Sequence, residues 1–208
     1  TATVFREGHD AVNATLVLTR PDGTVEHRLM TCTNPGLDHW VAPIEPEVEG
    51  WWRYRVEGWS DPYGTWVHDA TIKVKADVDT ELMLEEGARV LERAAKEVKR
   101  PKAAAAVLAT AVKGLRNAAA SPLERLDAGL ADAVAEELAQ RPLREHVSPS
   151  AELSLLVERE LALAGAWYEI FPRSEGATYD VTEHRWTSGT FRTAAKRLPA
   201  IAAMGFDV

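Results

Sequence analysis

The 208-residue sequence holds a single cysteine, Cys32, so an internal disulfide and any cysteine-rich metal site are excluded. A lone thiol suits a reducing cytoplasm, and a cytoplasmic location is the expectation. No apolar run approaches membrane-spanning length, and the first residues show no signal-peptide pattern, so no membrane partner is expected. Clustered positive charge is missing as well. Twenty-four Lys and Arg against 32 Asp and Glu leave a formal net charge of −8, with the basic residues scattered. Neutralising phosphates takes grouped Lys and Arg, so a general nucleic-acid binder is excluded.

What is present divides by composition near Asp77. Up to Lys75 the chain is rich in Val, Thr, Trp and Tyr with frequent turn residues, which predicts antiparallel β structure. Thr1–Phe5 reads as a strand already in progress. Asn13–Thr19 alternates, and Pro21-Asp22-Gly23 turns it into Thr24–Thr31. His39–Ile44 is a short strand. Trp52, Tyr54 and Val56 share one face of the next strand, and Arg53, Arg55 and Glu57 the other. Asp61-Pro62-Tyr63-Gly64 reads as a turn into a strand at Trp66–Val74. About six short strands predict an immunoglobulin-like β-sandwich without the Cys–Trp–Cys hallmark.

From Asp77 to about Leu143 the period becomes helical. Leu84, Ala88, Leu91, Ala95 and Val98 form one apolar stripe. Arg100-Pro101 interrupts it, and an alanine-rich helix over Lys102–Ala119 follows. Ser121-Pro122-Leu123-Glu124 combines an N-cap serine, proline at the first helical position and a capping-box glutamate. Leu126, Leu130, Val134 and Leu138 then line a third helix, and three such helices make a small bundle. Leu153–Leu161 alternates again and reads as a strand returning to the sandwich. The helical block is then an insertion; the alternative is a plain succession of sandwich, bundle and barrel start. The expected domains are 1–76 with 150–163 as sandwich, 77–149 as inserted bundle, and 164–208 as the start of a (β/α)8 barrel. In that last part Trp167–Phe171 reads as a buried strand, followed by a polar loop, an amphipathic helix and a second strand opening at Phe206-Asp207-Val208. The expectation is an internal piece of a longer protein.

Several stretches are long and unusual: Val4-Phe5-Arg6-Glu7-Gly8-His9-Asp10, Glu57-Gly58-Trp59-Ser60-Asp61-Pro62-Tyr63 and Trp66-Val67-His68-Asp69-Ala70-Thr71-Ile72-Lys73-Val74. So are Glu81-Leu82-Met83-Leu84-Glu85-Glu86-Gly87, Trp167-Tyr168-Glu169-Ile170-Phe171-Pro172-Arg173-Ser174 and the stretch Leu198–Val208. In these the chain resembles the N-terminal part of bacterial α-1,4-glucan:maltose-1-phosphate maltosyltransferases, members of glycoside hydrolase family 13. The resemblance implies a β-sandwich with an inserted helical bundle ahead of a truncated (β/α)8 barrel, and a homodimer. It implies maltosyl transfer from α-maltose 1-phosphate to an α-1,4-glucan, with release of phosphate and retention of configuration, through one carboxylate nucleophile and one acid/base. Such barrels carry their catalytic carboxylates at later strand ends. No catalytic, substrate-binding, cofactor or metal residue is therefore assigned here, no cofactor is expected, and glucan and maltose 1-phosphate are partners only through the missing barrel. The segment is expected to be non-catalytic, bracing the barrel and supporting the dimer. The alternatives are a freestanding carbohydrate-binding module and a purely structural interaction domain.

Four tryptophans, Trp51, Trp52, Trp59 and Trp66, invite a sugar-stacking role. Trp52 alternates into the core, whereas Trp51 and Trp59 are candidates to face outward; packing is the favoured reading. His9-Asp10 and His68-Asp69 lack metal spacing and read as turn and strand-end hydrogen bonders. Gly8 and Gly64 read as turn glycines. Asp77, Asp79, Glu81, Glu85 and Glu86 suit the positive end of a helix dipole. Glu169 reads as structural. Three aromatics at 167–171, burying about 150–250 Å² each, forgo on the order of 10–20 kcal/mol without a barrel to cover them. That rivals a whole domain's stability of about 5–15 kcal/mol. Residues 164–208 are thus expected to be poorly placed, repacked, or supported by material absent from this sequence.

Overall fold

A computed structural model describes residues 1–208, which divide into two compact units, Thr1–Leu156 and Val157–Val208. The first unit opens with a short strand, β1 (Ala2–Thr3), which pairs in a small antiparallel sheet with β5 (His39–Val41); β5 pairs in turn with β4 (Thr31–Asn34). A larger antiparallel sheet holds β2 (Val12–Thr19), β3 (Val25–Leu29), β6 (Gly50–Ser60) and β7 (Glu145–Pro149) in the order β3-β2-β6-β7. A further strand, β8 (Leu153–Val157), also pairs with β6. The predicted turn joins β2 to β3. Gly23 takes the left-handed φ of 86°, and the Asp22 carboxylate accepts the Thr24 N–H at 2.8 Å.

Register decides which residues meet. Leu16 lies opposite Val56 and Leu18 opposite Tyr54, so these four share a face. Ala14 and Leu16 on this face pack with Met30 and Trp40, and Val4, Cys32, Tyr54 and Val56 close the cluster between the two sheets. Gly58 allows that closeness, since a Cβ there would stand 2.7 Å from Val4 Cγ1. The opposite face carries Thr15, Val17 and Thr19 beside Glu57, Arg55 and Arg53.

The helical core corrects the sequence reading at its start. Trp66–Val74 is not a strand; it lies inside α1 (Pro62–Lys75). Asp61 is the N-cap, its carboxylate accepting the Gly64 N–H at 2.9 Å, and Pro62 sits at the first helical position. The buried residues Trp66, Ala70 and Val74 are spaced by four, the helical period, which outweighs the β propensity of the intervening Val, Thr and Ile. The helical block therefore opens at Pro62, not Asp77. It continues through α2 (Thr80–Glu97) and α3 (Lys102–Leu115), the latter shorter than predicted. The third predicted helix is two, α4 (Pro122–Leu130) and α5 (Asp132–Gln140), because Ala131 leaves helical geometry at ψ 139°. The capping box of Ser121 and Glu124 is present at the head of α4.

The Trp66 ring is central. Its Nε1–H donates to Met83 O at 2.7 Å, and Gly87 and Gly129 lie against the indole, where a Cβ would come within 2.3 and 2.6 Å. Around it Leu84, Leu91, Leu108, Leu115, Leu126 and Val134 are fully buried, each worth about 1.5–3 kcal/mol of transfer free energy. Arg100, 1 % exposed, ties the helices together: it donates to Glu137 at 2.5 Å and to the carbonyls of Ala94 and Arg141.

The second unit differs from expectation. Trp167–Phe171 forms no strand, and Trp167 and Phe171 are 76 % and 69 % exposed. The predicted polar loop contains a hairpin, β9 (Thr178–Asp180) with β10 (Arg185–Thr187), and the predicted amphipathic helix is two short ones, α6 (Phe191–Ala195) and α7 (Leu198–Ala203). One long-range feature remains. Val208 N–H donates to Ala166 O at 3.2 Å and Tyr168 N–H donates to Val208 O at 2.8 Å. That pair of bonds around Trp167 is the pattern of a single parallel bridge. The Tyr168 and Phe206 rings meet edge to face beside it, 5.0 Å apart.

Candidate functional site

The tryptophan candidates separate cleanly. Trp52 is buried, its Nε1–H donating to Val48 O at 2.9 Å, with the Arg20 guanidinium over its ring. Trp66 is the helical core residue described above. Trp59 does not face outward: it is 3 % exposed and donates to Thr15 Oγ1 at 2.9 Å, because its face of β6 is covered by the helical block near Leu143. Trp51 alone among the four presents its ring, 63 % exposed. It lies two residues before Arg53, which is opposite Thr19 and pairs with Glu152 at 3.5 Å. Stacking on a sugar ring requires such an open indole face.

Elsewhere the singled-out side chains are engaged locally. Asp10 pairs with Arg6 at 3.2 Å, and His9 is exposed beside it. His68 and Asp69 lie on the exposed side of α1, not at a strand end. Gly8 is a bend residue at φ 111°, whereas Gly64 belongs to the first turn of α1, against the Asp61 carboxylate. In the acidic run, Glu81 accepts two bonds from Arg125, at 2.7 and 3.0 Å, and Glu85 is held by Arg89 and Arg116. Arginine partners from α2, the C-cap of α3 and α4 thus occupy Glu81 and Glu85, a network with no pattern in the sequence. Glu169 is exposed and outside any strand.

Two clefts border the larger sheet. One of about 480 Å³ lies between β1 and the β6–β7 pair, lined by Val4, Val56, Trp59 and Ser148 among others. A second, of about 370 Å³, contains Asp10, Asp69, Glu86 and Glu145 together with Arg6, Arg89 and Arg93. In it Arg6 pairs with Asp10, and Arg93 with Glu145 at 2.5 Å.

The displaced ionisations belong to side chains already held by partners. A general acid needs its carboxyl pushed up. Burial pushes Glu57 upward, but hydrogen bonds from Arg55 and Arg144 outweigh it, and the carboxyl sits below its ordinary value. Bonds from Arg116 and then Arg89 take Glu85 down to about 2. Glu81, Glu92 and Glu124 move the same way, through Arg125, Arg116 and Ser121 respectively. Tyr63 is pushed up to about 12 by burial and by the Asp61 charge, and its hydroxyl donates to Gly129 O. Each displaced group supports a helix or strand junction.

Comparison with known proteins adds a family. Residues 1–159 match the family model described as alpha-1,4-glucan:maltose-1-phosphate maltosyltransferase, domain N/S. The whole chain is 53 % identical to alpha-1,4-glucan:maltose-1-phosphate maltosyltransferase 1 of Streptomyces coelicolor, of which the alignment covers 30 %. It is 52 % identical to enzyme 2 of the same organism, again over the whole chain and 30 % of the relative. With the Mycobacterium tuberculosis enzyme the identity is 38 %, over the whole chain and 32 % of the relative. The chain spans about 30 % of the length of the first of these relatives.

Proposed function

The chain belongs to the domain N/S family of alpha-1,4-glucan:maltose-1-phosphate maltosyltransferases, and from that premise we propose that it is the non-catalytic N-terminal portion of such an enzyme. The parent activity is transfer of a maltosyl unit from α-maltose 1-phosphate to an α-1,4-glucan with release of phosphate, by the retaining mechanism of glycoside hydrolase family 13. The observation that carries this reading is identity of 53 % running the full length of the chain.

In this reading the sheets form an immunoglobulin-like β domain, and the helical block, opening at Pro62, is an insertion into it. The return of β7 and β8 to β6 supports that assignment. Residues 164–208 are the start of a (β/α)8 barrel. The parallel bridge of Trp167 with Val208, with two helices between them, supports this, since parallel strands need a crossover connection. The β and helical parts brace the barrel and contribute to a homodimer in the cytoplasm. No helix is long and apolar enough to cross a membrane.

The test is phosphate release from maltose 1-phosphate with a glucan acceptor, using the 208-residue chain. No release above blank is expected; turnover would overturn the non-catalytic role. The open ring of Trp51 favours one second reading, a carbohydrate-binding module. The same sample on a glucan affinity gel separates the two. Passage without retardation fits bracing, while retardation lost in Trp51→Ala fits binding.

A further inference from the structure

A cleft of about 510 Å³ lies where the outer face of the larger sheet meets the end of the helical block. Thr15, His27 and Leu29 supply one wall, and Val98 with residues 139–142 and Arg144 supplies the other. No acidic side chain lines it, although the chain as a whole carries a net charge of −8. Its charged residues are Arg141 and Arg144, with His27 facing them from β3.

Two buried carboxylates fix those arginines. Glu137 accepts from Arg100 at 2.5 Å and from Arg141 Nη1 at 2.6 Å. Glu57 accepts from Arg55 at 2.7 Å and from Arg144 Nη1 at 2.8 Å. Each carboxylate is thus shared between two guanidinium groups, so each trio keeps one net positive charge. Neither glutamate reaches the cleft lining. Arg141 and Arg144 give their side-chain hydrogen bonds to protein through Nη1, which leaves Nε–H and Nη2–H of each for another acceptor. A guanidinium fork held in place by a carboxylate behind it loses little entropy on gripping a phosphate. Leu29, Val98 and Pro142 add apolar surface beside the charges.

We propose that this cleft binds a small phosphate-bearing anion, inorganic phosphate or a phosphomonoester, between Arg141 and Arg144. The volume is that of a small-molecule site, about 300–1,000 Å³. A long polyanion would meet the net negative charge of the rest of the chain and is not the ligand favoured.

The experiment is calorimetric titration of the 208-residue chain with inorganic phosphate and with phenyl phosphate, against sodium chloride at matched ionic strength. Saturable binding of phosphate above the chloride control is expected, with perturbation of the Arg141 and Arg144 Nε resonances in NMR spectra of the unaltered chain. Phenyl phosphate binding at least about threefold tighter than phosphate assigns the site to organic phosphomonoesters. Equal binding assigns it to free phosphate. Leu29→Glu and His27→Glu each place a negative charge in the cleft without removing an ion pair, and each is expected to weaken binding at least about tenfold with unchanged far-UV circular dichroism. Phosphate no better than chloride, arginine resonances that do not move, or folded variants binding as tightly as the original chain would overturn the proposal.

Discussion

The units 1–156 and 157–208 are similarly supplied with large apolar side chains, yet they use them differently. In the first, Leu16 and Met30 disappear into a core between the sheets, and Leu84, Leu91, Leu108 and Leu126 into one among the helices. In the second, only Ala194 and Ile201 are buried apolar residues, while Leu163, Trp167, Phe171, Trp186 and Phe191 stay exposed. The difference lies in topology rather than composition. Every helix and strand of the first unit finds a partner inside the unit, most of them nearby in sequence and β7 far back at Glu57–Ser60. The segment at 167–171 finds only the last three residues of the chain, through one bridge. Apolar sequence specifies burial only where a partner surface exists.

The widest contrast should appear in hydrogen exchange. Amides in β2, β6 and α2 are expected to exchange only by opening of the whole first unit, which for a domain costs about 5–15 kcal/mol. Amides of β9, β10 and α6 are expected to exchange through local opening near the zero end of the scale. At least about a thousandfold difference in protection should separate the two sets. Protection of Tyr179 or Thr187 equal to that of Leu16 would break the comparison.

Mutation sharpens it at single residues. Leu84 is wholly buried beside Trp66, so Leu84→Ala should cost about 2–5 kcal/mol, transfer and cavity together. Phe171→Ala removes a larger side chain from an exposed site and should stay within about 0.5 kcal/mol. Urea unfolding of both variants, followed by circular dichroism at 222 nm, measures the pair. Equal losses would mean that Phe171 packs in solution.

What was legible in the sequence follows the same division. The β2–β3 hairpin and the Ser121 capping box are local patterns that lie where they are read, and the α2 stripe holds at Leu84, Ala88 and Leu91, with Ala94 buried in place of Ala95 and Val98 just past the helix end. At α1 two local signals compete: Asp61-Pro62 is a helix start and Trp66, Ala70 and Val74 are spaced by four, whereas the Val, Thr and Ile between them favour a strand. The break between α4 and α5 carries no proline, and β7 is a short polar segment whose partner lies far back at Glu57–Ser60. Neither has a local signal. The burial of Trp59 depends on the helical block returning over the sheet, which alternation along β6 does not contain. The arginine pair at 141 and 144 flanks Pro142 and is visible as a basic pair, but its meaning comes from Glu57 and Glu137 behind it. The catalytic chemistry implied by the resemblance corresponds to no residue pattern here.

The smallest expected effect concerns acid. Glu85 joins α2 to α3: Arg116 donates to both of its oxygens, at 2.8 and 3.1 Å, and Arg89 adds a bond from one turn on. These bonds, Arg116's first, lower its pKa from 4.5 to about 2. Because the folded value lies below the unfolded one, the unfolded chain takes up the proton first as pH falls. The stabilisation is therefore complete above pH 4.5 and is lost as pH drops through about 2. Glu92 moves in the same direction through Arg116, and Glu81 through Arg125, so the helical block should lose stability together in acid. Glu85→Gln should flatten the dependence of unfolding free energy on pH between those two values, with little change near neutrality, where exposed pairs contribute weakly. Raising the salt to 1 M should shrink the difference between the two proteins, since the pair is open to solvent. Acid should therefore loosen the junction of α2 with the end of α3, and an unchanged slope in Glu85→Gln would remove this clamp from the account of what holds the first unit together.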